Sequence, residues 1–406
     1  MHKNNSLTQI KKSDIIAAIV LCSCLNISYI NSLLGTLASF FFPIRMIEIV
    51  LMAICLLSYR KRISPTFIVI TIYILYLIVR TKQCGGDWVY SIRQLSLPYT
   101  AVIYMEWIRH KPNCINRLKV WKYLLRILIL VDFATMILFP NGLYSSTMYS
   151  NNWFLGYKSA RLPFIFAMLG IDTCIDITEK GNVSLSTWLF SLISCYELWK
   201  SDSMGAFAGV IVLFGGIVIS SSLKENSKWN KVVYYLLNSK VFLPVYGVIV
   251  FLTVIVQNSR IILYVVQNIF HKDPTLTTRT MAWAAFVKLI SKSPWFGYGY
   301  LPTEQYQYLS NNMYVTSAHN MVLSLLITGG IAGIAIYVLL IALSTAKHDR
   351  VYTRSEEICV WGILGFLLVG ITSSAVVFSQ FGFLFYSLLE INKTENMSRG
   401  RKICWD

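Results

Sequence analysis

Long apolar runs separated by short polar segments fill most of the chain. A helix needs roughly 20 apolar residues to cross a bilayer, and runs of about that length recur throughout. We therefore expect an all-α polytopic integral membrane protein with about twelve transmembrane helices, within a range of about ten to twelve. Their approximate positions are 15–34, 44–59, 66–79, 95–108, 123–139, 162–177, 183–198, 205–221, 241–256, 321–346, 358–372 and 376–391.

One polar interruption, residues 258–317, is far longer than the other connections. It is rich in aromatic residues, proline and glycine, which favours an ordered functional segment over a disordered one. The interruption predicts four regions: transmembrane helices 1 to 9 at 1–257, an extracytoplasmic loop at 258–318, helices 10 to 12 at 319–392, and a cytoplasmic tail at 393–406.

An amphipathic helix is predicted inside this loop. Apolar residues recur there at the helical spacing i, i+3, i+4 and i+7: Trp283, Phe286, Val287 and Ile290. The helix should begin near Arg279 and end before Pro294, with Lys288 and Lys292 on its polar face. We expect it to lie at the outer membrane interface with its apolar side down and with Arg279 on that side.

The net charge of +17 suggests nucleic acid at first, but the positions of the basic residues argue against it. Lysine and arginine cluster at 11–12, 60–62, 109–126, 224–240, 347–354 and 399–402. With twelve spans these clusters share one side, which the positive-inside rule assigns to the cytoplasm. Both termini are then cytoplasmic. The opposite side keeps several cations with few acids, which indicates an anionic substrate at the outer face.

Arginines and one histidine are the candidate site residues. Arg279 at a helix N-terminus combines forked donors with free N–H groups, which suits a phosphate, although it can also reach lipid headgroups. His319 lies where the loop meets a span, and its imidazole can take a proton from a hydroxyl; an interfacial structural histidine is the alternative. Arg161 and Arg260 lie next to spans, as anion ligands or as membrane anchors.

Acids inside the spans, such as Asp132, are best explained by pairing with arginines of other helices, with proton-coupled transport as the alternative. Asp172 and Asp176 lie nearer the cytoplasmic end and should be solvated. The chain has no D-x-D motif, and its nine cysteines show neither zinc spacing nor a disulfide framework. We therefore expect no metal and no other cofactor.

Three segments in this order resemble the O-antigen ligase and polymerase superfamily, which includes the bacterial surface polysaccharide polymerases. The segments are Thr278-Arg279-Thr280-Met281-Ala282-Trp283, then Ser293-Pro294-Trp295-Phe296-Gly297-Tyr298-Gly299, then His319-Asn320 with Leu323 and Thr328-Gly329-Gly330-Ile331-Ala332-Gly333. The resemblance implies a fold similar to glycosyltransferases of the C type. It also implies transfer of a glycan from an undecaprenyl-diphosphate-linked oligosaccharide at the outer face of the bacterial cytoplasmic membrane.

The resemblance also implies roles for individual residues. His319 would be the base that activates the acceptor, Arg279 would bind the diphosphate, and Arg161 or Arg260 would assist. The remaining residues that the resemblance implies for substrate binding are Trp283, Asn320 and Tyr298. Further partners would be the bilayer, a chain-length regulator and a flippase, and the product would be O-antigen of lipopolysaccharide or capsular polysaccharide.

One departure concerns the turn before the eighth span, where many relatives carry Ser-Arg-Gly. This chain has Ser203-Met204-Gly205, and nearby Lys200 offers a point charge rather than a fork. A polysaccharide polymerase is the favoured function. A ligase that transfers finished glycan is the nearest alternative. A lipid-linked oligosaccharide flippase or secondary transporter is the next, although such proteins often show internal repeats, which this sequence lacks.

Overall fold

A computed structural model describes residues 11–34, 37–58, 63–146, 151–222, 228–255, 279–313, 317–346, 352–373 and 377–398. The helices in these ranges are α1 Lys12–Cys24, α2 Ser28–Leu34, α3 Leu37–Ser58, α4 Pro65–Gln83, α5 Trp88–Arg109, α6 Lys119–Leu138, α7 Leu162–Lys180, α8 Leu185–Lys200, α9 Met204–Ser222, α10 Lys228–Leu236, α11 Ser239–Ile255, α12 Arg279–Ile290, α13 Thr303–Ser310, α14 Met321–Ser344, α15 Arg354–Gly370 and α16 Leu384–Ser398. Two short 3-10 helices occupy Cys114–Leu118 and Lys158–Arg161.

The expected all-α membrane class is confirmed. The β-structure within the described ranges consists of two isolated bridges, Tyr144 with Asn152 and Trp153 with Gly156. Four of the described helical stretches are long and apolar enough to cross a membrane: Phe40–Ser58, Pro65–Gln83, Met204–Ser222 and Met321–Ser344. The full count of twelve and the similarity to C-type glycosyltransferases stay predictions. The last helix runs to Ser398, past the predicted start of the tail at residue 393.

Capping residues determine where several helices begin. The Ser64 side chain accepts a hydrogen bond from the Phe67 amide at the start of α4, and Pro65 follows it as the first helical residue. The Asp87 carboxylate accepts hydrogen bonds from two amides at the start of α5. The Asp87 cap starts α5 directly after the short connection at residues 84–87 that follows α4.

Contacts between connections define the two ends of the helical bundle. At one end, Tyr300 of the long loop donates its amide to Thr81 near the end of α4, at 2.8 Å. At the other end, Ser64 before α4 donates to Glu106 near the end of α5, at 2.8 Å. Helices α4 and α5 are therefore antiparallel. We call the end that carries residues 84–87, 291–302 and 317–320 the site end.

Close helix packing holds α9 against α15. A Cβ atom placed on Gly209 of α9 would lie 2.9 Å from the Gly365 carbonyl oxygen of α15. Aromatic rings fill the space beside this contact, with the Phe166 and Phe366 centroids 4.4 Å apart. In a membrane, small residues permit this close approach and so allow van der Waals contact to hold two helices together.

Helix α14 is broken in its middle. Gly330 has a φ of 62° and a ψ of −160°, so the regular helical hydrogen bonds are interrupted there. The loop segment 294–299 packs into the break and supplies new backbone partners. The four bonds, between 2.8 and 3.0 Å, are Tyr298 N to Ile327 O, Gly299 N to Thr328 O, Ile331 N to Pro294 O and Ala332 N to Trp295 O. We call the loop segment 294–299, as it lies in this break, the 294–299 insertion.

Glycines make the insertion possible. A Cβ atom on Gly330 would lie 2.4 Å from the Trp295 carbonyl carbon, and one on Gly297 would lie 2.7 Å from the Gly330 amide nitrogen. Both residues also have a φ of 62°, which side chains other than glycine rarely adopt. Glycine at these two positions therefore allows both the close approach of the two backbones and the positive φ.

We predict that Gly330→Ala destabilises the protein by at least about 2 kcal/mol, because it adds a steric clash to an unfavourable φ. The measurement is the thermal midpoint of purified protein in detergent. Gly247→Ala is the matched control, since no atom lies within 4 Å of its added Cβ atom. Equal midpoints for the two variants would contradict this account of the insertion.

Candidate functional site

Helix α12 begins at Arg279, as predicted, and packs against α14; its expected position at the outer membrane interface stays a prediction. Its buried residues are Ala282, Trp283, Phe286 and Leu289. Trp283 and Phe286 of the predicted apolar face are buried against the protein, whereas Val287 of the same face is 43% exposed. The buried side also includes Ala282 and Leu289, because these residues pack into the same apolar cluster as Leu323 and Ile327 of α14.

Trp283 joins α12 to the turn that carries His319. Its side chain is only 4% exposed, and its indole nitrogen donates a hydrogen bond to the Ala318 carbonyl at 2.7 Å. Buried indole N–H groups usually find such a partner, because an unpaired one costs free energy. The hydrogen bond therefore places the turn relative to the helix that starts at Arg279.

The His319 turn is also anchored on its other side. Asn320 is fully buried. Its side-chain oxygen Oδ1 caps α14 by accepting a hydrogen bond from the Leu323 backbone amide at 3.1 Å. Its side-chain nitrogen Nδ2 donates to the Ile371 carbonyl at 3.0 Å. His319 itself is half-buried and has a φ of 46°, an uncommon conformation for a residue other than glycine. Such strained residues cluster at functional sites, where the surrounding structure enforces them.

Tyr298 lies in the same region and is held from both its backbone and its ring. Its hydroxyl donates to the Leu289 carbonyl of α12 at 3.0 Å. Burial, followed by the proximity of Cys84, raises the pKa of the Tyr298 phenol, so it stays a neutral donor. The side chains of Trp283, Asn320 and Tyr298 thus form hydrogen bonds with the protein, and they build the walls of the site.

Two residues of α4 that sequence reasoning did not assign to the site also reach it. Arg80 donates from Nε to the Gly297 carbonyl at 3.0 Å, and its guanidinium carbon lies 5.9 Å from the Phe296 ring centroid. The Tyr76 hydroxyl lies 3.0 Å from the Phe296 carbonyl and 2.8 Å from the Gly329 carbonyl. Tyr76 and Arg80 are four residues apart near the end of a predicted span, and this spacing could have indicated that both lie on the same face of the helix.

Arg161 lies in the interior of the helical bundle. Its side chain is fully buried, and its Nε lies 2.9 Å from a carboxylate oxygen of Asp132, which is also fully buried. The guanidinium further donates to the carbonyls of Glu197 and Gly156, both at 3.3 Å, and lies 5.1 Å from the Trp153 ring centroid. The guanidinium donors are thus directed at groups of the protein. Arg161 therefore acts in this structure as the ion-pair partner of Asp132 and not as a residue that is open to bind an anion.

Other acids within the helices also pair with cations of neighbouring helices, as expected. Asp172 binds Arg126 at 2.6 Å, and Asp176 binds Lys122 at 2.9 Å. Both aspartates are buried, so the expectation that they are solvated is wrong. Lys122 and Arg126 lie one turn apart on α6, and their long side chains cover both carboxylates where sequence position alone suggested solvent.

Some predicted site residues lie beyond the described structure. Arg260 falls in the undescribed range 256–278, and the Arg279 side chain is likewise outside what is described. Met204, which stands where relatives carry arginine, is the 46% exposed first residue of α9 at the site end. Among the described residues, no group of three or more His, Cys, Asp or Glu side chains is arranged to hold a metal ion.

Comparison with known families identifies this region. Residues 189–338 match the family model described as O-antigen ligase. This segment of the chain is similar to that family. The matched range contains α12, the 294–299 insertion and the His319 turn, so the resemblance to the O-antigen ligase and polymerase superfamily is confirmed. No curated protein and no solved structure matches the chain.

A double-mutant cycle separates the two roles considered for Arg161. We predict that Arg161→Ala destabilises the protein by about 3–5 kcal/mol, because it leaves a buried carboxylate without its partner. Adding Asp132→Ala should restore part of that stability, as measured by thermal midpoints in detergent. Additive losses for the two substitutions would contradict the ion-pair role.

Proposed function

We propose that this protein polymerises undecaprenyl-diphosphate-linked oligosaccharide repeat units into O-antigen or capsular polysaccharide. The match of residues 189–338 to the O-antigen ligase family model supports glycan transfer as the class of reaction. The observation that carries the proposal is the hydrogen bond from Trp283 to the Ala318 carbonyl. It brings the helix that begins at Arg279 and the turn that presents His319 into one rigid unit.

In the proposed reaction, His319 takes the proton from an acceptor hydroxyl while that oxygen attacks the anomeric carbon of the donor glycan. The bond between this carbon and the diphosphate oxygen breaks, and undecaprenyl diphosphate leaves. Negative charge gathers on the diphosphate as it leaves, and guanidinium groups of Arg279 and Arg260 stabilise it. Arginines rather than a metal ion carry this role in the proposal.

The proposed orientation places the site end at the outer face of the bacterial cytoplasmic membrane. The connections at the opposite end include residues 109–119, which are rich in lysine and arginine. The positive-inside rule assigns such connections to the cytoplasm, together with both termini. Undecaprenyl-linked repeat units would then reach the site after a flippase has moved them outward, and a chain-length regulator would act beside this protein.

A ligase is the second candidate, because the matching family is described by that activity. Ligase and polymerase draw on the same class of donor and differ in the acceptor. A polymerase transfers the growing glycan to another lipid-linked repeat unit, whereas a ligase transfers finished glycan to lipid A core or to a protein. The geometry of the His319 turn serves either acceptor hydroxyl.

We predict that a strain without this gene carries single repeat units on the surface acceptor and lacks the long glycan ladder on electrophoresis. Normal-length polymer that remains on undecaprenyl diphosphate would identify a ligase instead. Lipid-linked units that remain on the cytoplasmic face would indicate a flippase and exclude the catalytic role of His319. Complementation with the intact gene is the control.

We further predict that His319→Ala and Arg279→Ala each abolish the ladder and leave the amount of protein in the membrane unchanged. The first removes the proposed base, and the second removes a diphosphate ligand. Lys240→Ala, an exposed cation at the opposite end of the bundle, is the control and should preserve the ladder. A full-length ladder from either site variant would refute the role given to that residue.

A further inference from the structure

A cavity of about 640 Å³ lies between α12 and α13, separate from the His319 turn. Its lining residues come from the exposed side of α12 and the C-terminal end of α13: Ala284, Ala285, Lys288, Leu289, Lys292, Leu309, Ser310, Asn311 and Asn312. The volume falls within the range of sites that bind small molecules. The reaction proposed above does not use this cavity.

The cavity is positively charged. Lys288 and Lys292 are exposed and lie one turn apart on α12, so both ammonium groups face the same space. Neither lysine forms an ion pair within the described residues, and no acid lines the cavity. A ligand here meets two cations that no described acid neutralises, which favours an anion.

The rest of the lining combines apolar and hydrogen-bonding groups. Alanine and leucine side chains form one part, while Ser310, Asn311 and Asn312 supply hydroxyl and amide groups. Asn311 ends α13 in the left-handed conformation, with a φ of 49°, so the chain turns away and leaves this side open. This lining suits a sugar that bears a carboxylate. The apolar side chains can contact its C–H face, the hydroxyl and amide groups can bond its hydroxyls, and the lysines can bind its carboxylate.

We propose that this cavity binds an acidic sugar of the glycan on which the enzyme acts, an inference that rests on the proposed function. The opposite face of α12 packs through Trp283 toward the His319 turn. A helix is about 10 Å across with its side chains, so the cavity lies about one helix width from that turn. A glycan held at the turn extends around α12 and places a later residue beside the lysines.

The test is isothermal titration calorimetry on the full-length protein in nanodiscs of neutral lipid. The probes are trigalacturonate, an acidic trisaccharide, and maltotriose, a neutral trisaccharide. The intact protein should bind the acidic probe and show no comparable affinity for the neutral one. The double variant Lys288→Gln with Lys292→Gln should bind trigalacturonate roughly tenfold more weakly or worse, because charge-assisted hydrogen bonds are lost.

The control is Lys82→Gln, which removes one cation from the site end outside the cavity and should leave the affinity unchanged. Equal binding of the two trisaccharides, or full affinity in the double variant, would overturn the inference. Binding that appears only with anionic lipid vesicles would also overturn it and identify a membrane contact. The gene-deletion ladder tests the proposed function separately, so a polymerase whose cavity binds no acidic sugar is distinguishable from a protein that is no polymerase.

Discussion

A break in a membrane helix leaves backbone amides and carbonyls that lipid cannot satisfy, and the structure depends on how this chain satisfies them. At Gly330 the partners come from the 294–299 insertion, whose backbone forms four hydrogen bonds with α14. The insertion in turn holds the Tyr298 side chain, which bonds α12 at the Leu289 carbonyl. The loop is therefore fixed to the transmembrane helices by main-chain bonding at its centre rather than by side-chain packing alone.

This arrangement explains why the residues around His319 are so fully engaged with the protein. Trp283 binds the carbonyl just before His319, and Asn320 binds α14 and the end of α15 just after it. Each contact removes freedom from the turn, and together they enforce a left-handed histidine. In the proposed reaction such a fixed histidine is an advantage, because a base held in one geometry is already aligned when the substrate binds.

The sequence was most informative where one local pattern determined one structural outcome. The helical spacing around Trp283 and Phe286, for example, predicted α12. Sequence was silent where distant segments decide the result. Nothing near Arg161 indicates Asp132 as its partner, because the two residues belong to separate helices. The apolar run of α14 likewise hides its break, since only the Gly329-Gly330 pair marks it and such pairs also occur in unbroken helices.

The Tyr76 contact has a consequence for how the protein is made. Tyr76 belongs to α4, and the carbonyls beside its hydroxyl lie 220 and 253 positions later in the chain. During synthesis, α4 emerges long before either partner exists. Formation of the site must therefore wait until α14 has entered the membrane and the insertion has closed around Gly330. A nascent chain that stops short of α14 lacks both the His319 turn and the helix break that anchors the loop, so transfer activity arises only late in assembly.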